Sequence, residues 1–117
     1  MTDLNKDTGQ QPGLFDPKTS INAEDVLMYA LGDFQERGFE LAGREIALDR
    51  LLGALKRAFL AFDILPLSDQ AIADTLRTMG ADVIELPQFV AKHPFRVKVP
   101  EELGKQCREY FISFKEN

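Results

Sequence analysis

The sequence predicts a mainly α fold of four principal helices with one small β-hairpin, on three observations. Apolar residues recur at three- and four-residue steps through most of the chain after residue 21. One late stretch, Phe95-Arg96-Val97-Lys98-Val99, switches to strict alternation. Gly80, Pro87, Pro94 and Pro100 punctuate the passage between the two patterns. The chain has 117 residues, 44% of them hydrophobic and 28% charged, a balance that suits one globular domain. With nine Phe, two Tyr and no Trp, its core must be built mainly from Phe and Leu.

Residues 1–20 hold Gly9, Gln10, Gln11, Pro12, Gly13 and Pro17, with Leu14-Phe15 as the only apolar pair. Such a stretch buries too little to offset its ordering entropy, so a flexible tail is expected, followed by a single domain over 21–117. The first helix should start at Asn22, whose side chain can cap free amides, with Ile21 packing on Val26. Val26, Leu27, Ala30, Leu31 and Phe34 form one face, and Gly38 supplies the stop. Residues 38–43, in which Phe39 and Leu41 flank Glu40, suit either a short edge strand or a plain connection.

A second helix is predicted over about Arg44 to Phe62, where Leu48, Leu51, Leu52, Leu55, Phe59 and Phe62 make a wide apolar stripe. Gly53 costs this helix ~1 kcal/mol against Ala unless it permits a close approach. Pro66 closes the segment. Ser68 then caps a third helix over 69–79, with Leu67 stapled to Ile72 and Gly80 at its end. Asp82 to Leu86 reads as a strand by its β-branched content, and Pro87 breaks it. Residues 88–94 make a loop or a single helical turn, and 95–99 form the second strand of a hairpin near 82–99. Pro100 opens the last helix, whose apolar face is Leu103, Cys107, Tyr110, Phe111 and Phe114. That Phe-rich face suits either the chain's own core or a two-fold interface, so a homodimer is one expected state.

The pattern argues against an enzyme. His93 and Cys107 are the only histidine and cysteine, and Cys107 falls on an aromatic helix face, where a thiol behaves as a small hydrophobe. One His and one Cys cannot fill a usual zinc site. The carboxylates fall at helix starts or on solvent faces, and no Gly-rich phosphate loop is present. No catalytic residue, metal or cofactor is therefore expected. No apolar run approaches the ~18 residues of a membrane span, so no membrane partner is expected. The opening residues lack both a basic start and an apolar run, and the single cysteine excludes an internal disulfide, so cytoplasm is the expected location.

Net charge is −5, unevenly spread: residues 1–43 carry −5, residues 44–86 carry −2 and residues 87–117 carry +2. Between Leu86 and Pro100 there is no acid, and Lys92, His93, Arg96 and Lys98 fall in that run. On a strand Arg96 and Lys98 share one face. Two readings follow. Positive charge on an edge strand prevents edge-to-edge aggregation; alternatively the hairpin touches phosphates, with the 69–79 helix and its Arg77 beside it.

The order over residues 44–99, helices followed by a capped helix and a strand–turn–strand unit, is similar to the layout of winged helix-turn-helix domains. The resemblance implies a non-catalytic binding or regulatory module. A reading helix with one base, Arg77, beside Asp69 and Asp74 favours a protein partner over nucleic acid. DNA binding through Arg77, Lys92, Arg96 and Lys98 is the alternative. In the tail, Gln11, Leu14 and Phe15 resemble the bacterial sliding-clamp-binding peptide, in which a Gln is followed after two residues by Leu-Phe. That resemblance implies a clamp partner, and Pro12-Gly13 departs from the usual intervening residues. The rival to both is an apolar pair that packs on the domain.

Overall fold

The computed structural model describes residues 22–87, 89 and 95–116. The expected flexible tail therefore lies outside the described residues, as do Gln11, Leu14, Phe15, Lys92 and His93. The described chain runs α1 (Ala23–Glu36), β1 (Glu45–Ala47), a 3-10 turn (Leu48–Leu51), α2 (Leu52–Phe62), α3 (Asp69–Met79), β2 (Asp82–Glu85), β3 (Phe95–Lys98) and α4 (Glu101–Glu116). It is mostly helical, with a small three-stranded antiparallel sheet.

The caps of α1 and α3 and the stop of α3 follow the sequence closely. Asn22 Oδ1 accepts the Glu24 amide at 2.8 Å, and Ser68 Oγ accepts that of Ala71 at 3.1 Å. Both side chains satisfy amides that have no carbonyl partner within the helix. Gly80, at φ 107°, turns the chain out of α3 in a conformation that L side chains rarely adopt. The Gly80 and Ala81 amides bond back to the Arg77 and Leu76 carbonyls. The end of α2 is less orthodox. Asp63, not a glycine, takes the left-handed conformation there at φ 54°.

Helix α1 is the central post of the fold. Every residue from Val26 to Phe34 is buried except Met28, which is half-buried, because α2, α3 and α4 all pack on it. The apolar face expected from sequence is thus only part of what α1 hides; Tyr29, Gly32 and Asp33 are buried too. Helix α4 lies closest. A Cβ on Gly32 would fall 2.4 Å from the Cys107 carbonyl oxygen and 2.4 Å from Phe111 Cβ, so the glycine sets the helix separation. Gln35 Nε2 donates to the Gly104 carbonyl at 2.8 Å across the same seam. Phe111 and Phe114 stack edge-on to Tyr29, and Phe62 closes the cluster, so the Phe-rich face of α4 covers the chain's own core.

Two expectations are corrected. Residues 45–47, predicted as the first turn of a long helix from Arg44, are strand β1, and α2 begins only at Leu52 after the 3-10 turn. Neither Ala47 nor Leu51 offers a side-chain cap, so nothing local fixes an earlier start. Ile46 instead turns inward and pairs with Val97 in the core, which a helix from Arg44 would forbid. The predicted hairpin is consequently a three-stranded sheet in the order β1-β3-β2. Residues 38–43 are a connection, tied by a single bridge from Ala42 to Val99 and by the Gly43 amide on the Val99 carbonyl at 2.8 Å.

Candidate functional site: a charge-balanced sheet face and an apolar corner

The alternation in β3 sorts its side chains as the sequence requires. Phe95, Val97 and Val99 are buried, Lys98 is exposed and Arg96 is half-buried on the outer face. What differs is the position of the strand. With β1 on one side and β2 on the other, β3 is the central strand, so its bases do not protect an edge.

The neighbours of those bases are acids. Glu45 on β1 accepts from Arg96 Nε at 2.7 Å. Lys98 stands in register with Glu45 on one side and Asp82 on the other. Arg77 projects from α3 toward the sheet: Nη1 contacts Asp74 Oδ1 at 3.3 Å and Nη2 donates to the Val83 carbonyl at 3.3 Å. Asp74 also accepts from Gln70 Nε2 at 3.0 Å, so Gln70, Asp74 and Arg77 form one polar network on the exposed side of α3. The structure therefore places three of the four predicted bases around one small sheet, and each has a carboxylate neighbour. Glu45, Asp82, Val83, Ile84, Arg96 and Lys98 line a shallow depression of about 310 Å³ on this face. Sequence reading found its bases and missed its acids, because Glu45 was assigned to a helix and Asp82 was not aligned with Lys98.

A second feature lies at the turn from α2 to α3. Leu60 and Leu65 are 82% and 86% exposed. Phe59, Leu60, Ile64 and Pro66, with the Lys56 side chain, line an open depression of about 350 Å³ there. Sequence periodicity misses this patch: Leu60 lies off the apolar stripe of α2, and Leu65 sits in a turn that carries no periodicity.

Cys107 is fully buried against α1, and burial pushes its thiol from 9.0 up to about 12. Burial and the Asp25 carboxylate both raise the Tyr110 phenol. Among the described residues no helix is long and apolar enough to cross a membrane, and no three His, Cys, Asp or Glu side chains gather as metal ligands. Comparison with protein-family models, with curated proteins and with solved structures finds no match to this chain.

Proposed function

We propose that this chain is a non-catalytic, winged-helix-like interaction module whose partner is a protein. The order β1-α2-α3-β2-β3 supports the layout, since β1 ahead of the two helices pairs with the strand that returns after them. The observation that carries the protein partner is the apolar corner: two leucines more than four-fifths exposed, contiguous with Phe59, Ile64 and Pro66, at the turn a helix-turn-helix presents outward. The rival, a DNA contact through α3 and the sheet, meets a cost. A phosphate approaching Arg77, Arg96 or Lys98 must displace or face Asp74, Glu45 or Asp82.

A photo-reactive amino acid at Leu65, introduced in cells that express the protein, tests the reading. A discrete protein adduct at Leu65, absent when the same group replaces the exposed Lys105 on α4, is the expected result. No adduct beyond the Lys105 background overturns it.

A further inference from the structure

Asp33 is the one charged side chain buried among the described residues, in the middle of α1. Both of its oxygens are occupied. Arg37 Nε donates to Oδ1 at 2.9 Å, and Arg57 Nε donates to Oδ2 at 2.5 Å. One arginine suffices to neutralise one carboxylate; here two do so, each through Nε alone in the bonds to Asp33, and each leaves a pair of terminal Nη groups for other partners. A third arginine, Arg50 on the 3-10 turn, joins them around a groove of about 400 Å³ that Phe34, Phe39, Gly53 and Ala54 complete. No ion pair to Arg50 is found among the described residues. Arg37 and Arg57 share Asp33, and among the described residues no other ion pair to the three arginines is found, so the groove carries excess positive charge in a chain whose net charge is −5.

A buried ion pair alone accounts for Asp33 and Arg57. It leaves three other features without a reason. Arg50 lines the groove with no ion pair among the described residues. Gly53, exposed in the first turn of α2, is not held open by a close helix approach; within 4 Å a Cβ there would meet only Arg57 Nη1, at 3.4 Å. Phe39 stacks on Phe34 with centroids 4.9 Å apart and planes 22° from parallel, yet remains 47% exposed.

We infer that this groove binds a phosphate monoester that also bears a planar ring, with the phosphate on Arg37, Arg50 and Arg57 and the ring against Phe39. Three arginines lining one groove suit a dianionic oxyanion, and the volume admits a ligand of mononucleotide size. The assignment goes beyond the interaction role and does not depend on it. A free nucleotide and a phosphorylated aromatic group share this chemistry, so both are probed.

The full-length protein is titrated, at constant ionic strength, with inorganic phosphate, phenyl phosphate, adenosine 5′-monophosphate and adenosine, while backbone amide shifts are followed. Saturable shifts at Phe39, Gly53 and Arg50 are expected, with at least one ring phosphate binding about tenfold tighter than inorganic phosphate and adenosine not binding. Preference for the nucleotide over phenyl phosphate, or the reverse, identifies the source. Arg50→Gln removes a base with no ion pair among the described residues, so it should keep the unfolding midpoint while weakening the ring phosphates about tenfold. Phe39→Ala should cut ring-phosphate affinity to that of inorganic phosphate. Absence of saturable shifts in the groove, unchanged affinity in Arg50→Gln, or equal affinity for inorganic and ring phosphates would each overturn the inference.

Discussion

Gly32 shows how a single position sets the spacing of this fold. With no side chain, it lets the Cys107 carbonyl and the Phe111 Cβ come within a distance that any Cβ would violate, and the clash is with backbone, which cannot swing aside. Gly32→Ala should therefore destabilise the protein by about 1–3 kcal/mol through overpacking, although Ala is the better helix former. Urea unfolding of the two proteins checks this, and an unchanged midpoint would show that α1 and α4 have slack. Cys107, on the other side of that contact, gives a pH signature. Below pH 9 its thiol is protonated whether the chain is folded or not. Between 9.0 and about 12 the folded state keeps a proton that the unfolded state has lost, so stability falls with rising pH. The slope from this one group is about 1.4 kcal/mol per pH unit. Cys107→Ala lacks that term but loses about 1 kcal/mol of packing. The variant should be the less stable protein at pH 8, and the gap should close within about one pH unit above 9. A gap that stays constant from pH 8 to 10.5 would place the thiol in water.

At the scale of elements, the central position of β3 changes what its charges do. From sequence, Arg96 and Lys98 look like solvent-facing bases whose reversal costs less than ~0.5 kcal/mol each. In the sheet, Arg96→Glu sets a carboxylate beside Glu45, and Lys98→Glu sets one between Glu45 and Asp82. The double reversal should now cost about 1–2 kcal/mol, from like charges directly opposite and the lost Arg96–Glu45 pair. Adding Glu45→Arg to Arg96→Glu should recover part of that loss, and thermal unfolding of the set reads the coupling. The same elements show what sequence can and cannot convey. Caps at Asn22 and Ser68 and the stop at Gly80 are local chemistry, and the structure keeps all three. The alternation of 95–99 is equally local, and its buried and exposed sides fall where expected. Strand β1 is different. Glu45-Ile46-Ala47 has no strand character of its own and exists because β3, about fifty residues later, offers it a partner. The acids that neutralise the sheet face come from such pairings, so the site looked more basic in the sequence than it is. The arginine groove was hidden for the same reason: Arg37, Arg50 and Arg57 share no spacing motif, and only the packing of α1 on α2 gathers them.

For the whole molecule, one continuous core joins all the helices and the inner face of the sheet, while three exposed surfaces differ in kind. The sheet face is charge-balanced, the arginine groove is basic, and the corner at Leu60 and Leu65 is apolar. Leu60→Glu with Leu65→Glu should leave the unfolding midpoint within about 0.5 kcal/mol per site of the unmodified protein, since neither side chain is packed. A larger loss would show that the corner is part of the core. Each base of the α3 and sheet face has a carboxylate neighbour, and the proposed function gives that face no phosphate contact. A gel-shift titration with duplex DNA at low and moderate salt tests it most directly. The account predicts no saturable complex at low salt, and no difference on reversing Arg96 and Lys98. Tight binding that falls steeply with salt and disappears in the double variant would contradict it, and would make nucleic acid the partner.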